Sequence, residues 1–149
     1  MLKEKALKYR ADASLALCKY EDALRDYNKV IDIEIANGTG EMPYTGRGLV
    51  NLYTGKKDEA LSDFQNALKY EDSPLHNMNL AHTYINRRDI PNAVKYIKKT
   101  LDAYKNVDDE EIGNYKPDLT AMEFYSGWFE KDKDNLPDPG FLAATGEKL

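Results

Sequence analysis

The chain has 149 residues, of which 42% are hydrophobic and 32% charged, a balance that permits one domain with a buried core and argues against disorder over most of its length. Residues 1–105 carry 17 basic against 15 acidic side chains, whereas residues 106–149 carry 4 against 11. Because phosphate binding requires a concentrated basic face, we expect no nucleic-acid partner.

The N-terminal residues lack the apolar stretch of a secretory signal, and no apolar run approaches the ~18 residues that a membrane-spanning helix needs. We therefore expect a cytoplasmic protein with no membrane partner. The single cysteine, Cys18, excludes an intrachain disulfide. It falls on the inner stripe of a predicted helix, which indicates a buried small hydrophobic residue.

Three segments repeat one pattern, an alanine followed by a large residue four places on and a smaller residue seven places on. They are Ala23-Tyr27-Val30, Ala60-Phe64-Ala67 and Ala93-Ile97-Thr100. The alanines are 37 and then 33 residues apart, which is the period of stacked helical hairpins. A small residue twelve places before each alanine (Ala11, Gly48 and Ala81) supplies the close contact between the two helices of a hairpin.

In chain order, the pattern predicts an all-α, right-handed solenoid of about three hairpin repeats at residues 4–37, 41–73 and 74–105. Arg10 and Arg47, also 37 apart, give the same phase for the first two repeats. Pro43 opens the second repeat, Gly55 ends its first helix, and Asp89 is expected to cap the second helix of the third repeat.

Beyond residue 105 the repeat pattern ends. An amphipathic helix is predicted at about 117–131, with Leu119, Met122, Tyr125 and Phe129 on its inner stripe. An exposed solenoid end needs such a cover, so we interpret this helix as a cap that completes a domain spanning 1–131. Residues 132–149 are acidic and poor in apolar side chains, and we expect them to be extended or disordered.

These segments resemble the tetratricopeptide repeat family, most clearly at Asp58-Glu-Ala60-Leu61-Ser-Asp63-Phe64-Gln-Asn-Ala67-Leu68 and at Lys19-Tyr20-Glu-Asp-Ala23-Leu24-Arg-Asp-Tyr27. The resemblance covers about residues 4–105, and it implies a helical repeat fold that binds proteins. Some members hold the terminal carboxylate of chaperone tails in a polar clamp. By resemblance this chain keeps Lys8 but has Asp12, Gly46, Leu75 and Asn79 at the other clamp positions, so we expect no clamp.

No set of catalytic or metal-binding residues emerges from the sequence. The two histidines, His76 and His82, have no metal-spaced partner, and neither a dinucleotide loop nor a phosphate-binding loop is present. We therefore expect no metal, no cofactor and no enzymatic activity.

The remaining candidate is a groove lined by the first helix of each repeat. Its predicted lining combines an apolar floor with a polar rim: Lys8, Asp12, Met42, Leu49, Tyr53, Met78, His82 and Asn86. The alternative is that the apolar members pack on neighbouring repeats and leave only a narrow groove.

The sequence favours an adaptor or scaffold, co-chaperone-like in its use of a groove, that binds a peptide of unknown identity. Two alternatives stay open: a structural repeat domain whose groove is filled by residues 132–149 or by a second copy in a homo-oligomer, and a chaperone of the bacterial secretion type.

Overall fold

A computed structural model of the protein describes residues 2–37 and 43–131, and all regular structure in these ranges is helical. The chain divides into two compact units, Met1–Asp72 and Ser73–Leu149. The helices are α1 Leu2–Ala16, α2 Tyr20–Asn37, α3 Pro43–Tyr53 and α4 Lys57–Tyr70 in the N-terminal unit, and α5 Pro74–Asn86, α6 Ile90–Tyr104, α7 Asp109–Ile112 and α8 Lys116–Lys131 in the C-terminal unit. The prediction of an all-α protein is confirmed.

The N-terminal unit consists of two helical hairpins, α1–α2 and α3–α4, with α2 packed on α3. Its core includes Ala11, Ala23, Tyr27 and Val50, all at most 1% exposed. Small side chains let the helix axes approach, and the large rings fill the grooves beside them, as the repeat pattern predicts.

Two glycines of α3 mark the closest approaches in this unit. A Cβ atom added at Gly48 would lie 2.6 Å from a ring carbon of Phe64 on α4, and one added at Gly46 would overlap the ring of Tyr27 on α2. Helix α3 therefore contacts both neighbouring helices through positions that carry no side chain.

A bidentate arginine–aspartate ion pair joins the two helices of each hairpin in the N-terminal unit. Arg10 donates from Nε and Nη2 to Asp26 at 2.6 and 2.8 Å, and Arg47 donates from Nη2 and Nε to Asp63 at 2.7 and 3.0 Å. Both carboxylates are buried, with side-chain exposures of 1% for Asp26 and 3% for Asp63. The Arg10 hydrogen bonds hold the pKa of Asp26 below its ordinary value. Asn51 adds a third donor to Asp63 at 2.9 Å.

The C-terminal unit contains the third hairpin, α5–α6, with α8 packed on α6. Leu80 and Tyr96 occupy the positions 33 residues after Arg47 and Asp63, so this hairpin has no ion pair there. Leu80 is fully buried, and the Tyr96 ring stacks on Tyr84 with 5.5 Å between centroids.

The three hairpins turn in the same way. Cys18, Gly55 and Arg88 lie at equivalent positions and have left-handed backbones, with φ of 57°, 81° and 59°. In each turn this residue donates its amide to the carbonyl three places earlier, and the next amide bonds the carbonyl five places earlier, all at 2.8–3.2 Å. These bonds form the Schellman motif that ends many helices.

The burial predicted for Cys18 is wrong, because its side chain is exposed. Helix α1 ends at Ala16, so Cys18 belongs to the turn and not to the inner stripe of the helix.

The cap predicted at Asp89 is confirmed, and Ser73 caps a second helix. Asp89 accepts a hydrogen bond from the amide of Asn92 at the start of α6, and Ser73 caps α5 by accepting from the amide of His76. Pro43 is the first residue of α3.

Helix α8 buries the stripe predicted for it: Leu119, Met122, Tyr125 and Phe129 are all at most 7% exposed. The tail, 132–149, lies outside the described residues. Among the residues that the structure describes, no helix is both long and apolar enough to cross a membrane.

Candidate peptide-binding face

Four of the eight predicted groove residues lie on α1 and α3, which contact each other within the N-terminal unit. Lys8 and Asp12 belong to α1, and Leu49 and Tyr53 belong to α3. We refer to these four side chains together as the α1–α3 face.

The polar part of the α1–α3 face is the Asp12 carboxylate, which interacts with Lys8 and with Tyr27. Lys8 Nζ lies 3.4 Å from Asp12 Oδ2, and the Tyr27 hydroxyl donates to Asp12 Oδ1 at 2.6 Å. Tyr27 is 1% exposed, and its burial together with the bond to Asp12 raises its pKa. Asp12 is therefore fixed in position while its side chain remains 45% exposed.

The apolar part of the face is built around an exposed aromatic ring. Tyr53 is 59% exposed at the last residue of α3, and Leu49, one turn earlier on the same helix, is half-buried. The ring of Tyr20, at the start of α2, lies 6.2 Å from that of Tyr53. Two aromatic rings thus meet at one edge of the unit, with Tyr53 the more exposed.

The α5 members of the predicted set belong to the C-terminal unit. Met78 is 3% exposed and offers little surface to a ligand. His82 Nε2 lies 3.3 Å from Asp118 Oδ1 on α8, and Asn86 donates to the carbonyl of His82 at 2.9 Å. His82 and Asn86 are half-buried and lie one turn apart on α5.

Met42 lies outside the described residues, so its place in the predicted groove is not assigned. Two of the positions that a clamp would use lie on α3 and α5. Gly46 packs against the Tyr27 ring, and Asn79 is 7% exposed. Neither presents a polar side chain at the surface.

Sequence reasoning missed two features. The acidic partners of Arg10 and Arg47 are Asp26 and Asp63, and their spacing of 37 was available in the sequence as a signal. A cavity of about 690 Å³ lies between α6 and α8, lined by Ile90, Val94 and Ile97 on one side and Phe129 on the other. The groove prediction used only the first helix of each repeat, so a pocket on a second helix was outside its scope.

No group of three or more potential metal ligands among His, Cys, Asp and Glu occurs within residues 2–37 and 43–131. The expectation that the chain has no enzymatic activity stays a prediction.

Comparison of the sequence with models of protein families and with curated proteins gave no match. Among solved structures, the crystal structure of the Sgt2 TPR domain from Aspergillus fumigatus is similar, with a TM-score of 0.68 over 93% of this chain and 88% of that one, at 16% sequence identity. Together with the three helical hairpins and their shared turn, this similarity shows that the chain has the fold of a tetratricopeptide-repeat domain.

Proposed function

We propose that the protein is a protein–protein interaction module, acting as an adaptor or scaffold, and that the α1–α3 face binds a peptide segment of its partner. The observation that carries the proposal is Tyr53, a tyrosine with 59% of its surface exposed beside a second aromatic ring and one turn from a half-buried leucine. Exposed aromatic side chains on a rigid helix are typical anchors of protein interfaces. The similarity to a TPR domain supports an interaction module in general.

The chemistry of the face indicates what kind of peptide it suits. Leu49 and Tyr53 offer contact to an apolar side chain, and the Lys8–Asp12 pair one helix away offers one donor and one acceptor of opposite charge. Since the pair is internally balanced, it supplies no excess positive charge to hold a carboxylate. We therefore propose an internal peptide segment as the ligand, without a requirement for a free C-terminus.

Peptides selected from a random library against the intact chain would test this proposal. Replacing Tyr53 by Ala should weaken the selected peptides by about 2 kcal/mol, roughly thirty-fold in Kd, measured by titration calorimetry. Tyr70→Ala is the matched control, because Tyr70 is 55% exposed in the same unit but lies on α4. Equal affinities for the Tyr53 variant and the wild type would contradict the proposal.

The absence of a clamp has a separate test. Each selected peptide can be made with a free C-terminal carboxylate and with an amide, and the two forms should bind with affinities within about twofold of each other. A large preference for the carboxylate form that disappears in the Lys8→Ala variant would show a clamp at this face.

Sedimentation measurements on the Tyr53→Ala variant and the wild type test the self-association alternative. A dimer that dissociates in the Tyr53→Ala variant would show that the face binds a second copy.

A further inference from the structure

A cavity with a partly apolar lining lies between α6 and α8 in the C-terminal unit. Its volume of about 690 Å³ lies in the range of sites that bind drug-sized ligands. Ile90, Val94 and Ile97 line its α6 side, Phe129 lines its α8 side, and Lys98 and Glu130 are its charged members. Val94 is 38% exposed there, so part of its apolar surface is open to an occupant.

We propose that the occupant of this pocket is the chain's own apolar run at residues 141–144, Phe-Leu-Ala-Ala. Helix α8 ends at Lys131, next to the pocket residues Phe129 and Glu130, so the tail begins at the edge of the pocket. Nine residues, 132–140, connect Lys131 to Phe141, and at ~3.3 Å per residue they reach far enough to cross it. A short tether of this kind gives an effective concentration in the millimolar range, which a separate partner rarely matches.

The tail sequence contains features that fit this placement. Residues 141–144 are its longest run of apolar side chains, and the rest is mainly polar. Asp138 followed by Pro139 is a typical helix start, and Gly146 is a typical helix end, so the run can form a short helix once it has a surface to pack on. Its composition predicts no stable structure by itself, and the pocket supplies the missing apolar contact.

Charge is also compatible with this occupant. Residues 132–138 contain three aspartates and one lysine, and they would run past Lys98 at the pocket. Lys98 would attract this acidic segment and Glu130 would repel it, so the apolar run and not the charge carries the proposal. This inference concerns α6 and α8 and does not depend on peptide binding at the α1–α3 face.

Disulfide trapping in the full chain tests the placement. In a Cys18→Ser background, the pair Val94→Cys with Leu142→Cys should form an intramolecular disulfide under mild oxidation. The control pair, Lys99→Cys with Leu142→Cys, uses an exposed α6 position that does not line the pocket, and it should react at least ten-fold more slowly. The rates can be read on non-reducing gels at low protein concentration.

Adding Phe141→Ser to the Val94 pair should reduce its rate to that of the control, because the run then loses its largest apolar side chain. Equal rates for the two pairs, or no disulfide in either, would overturn the proposal. A disulfide between two molecules in the Val94 pair would also overturn it, by showing that a second copy supplies the occupant.

Discussion

Arg88 lies at a left-handed turn position that a glycine fills in the α3–α4 hairpin, so replacing Arg88 by Gly should stabilise the C-terminal unit. Its φ is 59°, close to the 81° of Gly55, and its amide makes the same hydrogen bond to the carbonyl three residues earlier. A side chain in this region brings Cβ close to a neighbouring carbonyl, which glycine avoids.

The size of the effect follows from two opposing terms. Relief of the left-handed strain is worth about 1–2 kcal/mol, whereas the greater freedom of glycine in the unfolded chain costs about 0.4–1 kcal/mol. The net gain in the free energy of unfolding should be about 0.5–1 kcal/mol. The reverse change, Gly55→Ala, should lower the free energy of unfolding by a similar amount. A Cβ atom at Gly55 would have no atom within 4 Å, so the cost comes only from the left-handed backbone conformation.

The effect of Arg88→Gly can be measured by urea unfolding followed by tryptophan fluorescence. Trp128 is the one tryptophan of the chain and belongs to the same unit as Arg88. Arg87→Gly is a matched control: Arg87 is right-handed, with φ −80° and ψ −7°, so glycine there should destabilise by about 0.5–1 kcal/mol. Stabilisation by Arg87→Gly, or destabilisation by Arg88→Gly, would refute the strain argument.

Two further predictions concern the N-terminal unit. Arg10 holds the pKa of Asp26 below its ordinary value of ~3.9. The pair therefore contributes stability at pH values above that ordinary value, and this contribution is lost as the pH falls through the folded pKa. Asp26→Asn should remove that part of the acid dependence in denaturation curves measured from pH 7 to 2. Gly48→Ala should lower the free energy of unfolding by about 1–3 kcal/mol, because the new methyl group would lie 2.6 Å from the fully buried Phe64 ring. Its control is Gly127→Ala in α8, which has no atom within 4 Å and should stabilise its helix by about 0.5–1 kcal/mol. Equal thermal shifts for the two variants would show that the Phe64 ring moves aside.

The repeat pattern predicted the hairpin contacts closely because those contacts depend on side-chain size at fixed helical spacing. Ala23, Ala60 and Ala93 are all fully buried, and the large residues four places later, Tyr27, Phe64 and Ile97, are at most 1% exposed. Size and period are properties of the sequence itself, so they carry over to the structure without knowledge of the partner helix.

Conformation and surface exposure were harder to predict. Cys18 continues the helical stripe in the sequence, yet the backbone leaves the helix two residues earlier, and only its spacing of 37 from Gly55 indicates the turn. Met78 and Tyr53 were assigned to the same groove, but the former is 3% exposed and the latter 59%. Helical phase determines which way a residue points, whereas its exposure depends on what other elements pack over it.

The bidentate ion pairs Arg10–Asp26 and Arg47–Asp63 also limit how far the two helices of each hairpin can shift along each other. A shift of one residue moves a side chain ~1.5 Å along the helix axis and about 100° around it. Such a shift would separate both nitrogen–oxygen pairs at once and leave a buried carboxylate without its cation. In the α5–α6 hairpin, Leu80 and the stacked rings of Tyr84 and Tyr96 occupy the equivalent region, and apolar and aromatic contacts tolerate small displacements. The first two hairpins are therefore held in register by a directional ion pair, whereas the third has apolar and aromatic packing at the equivalent region.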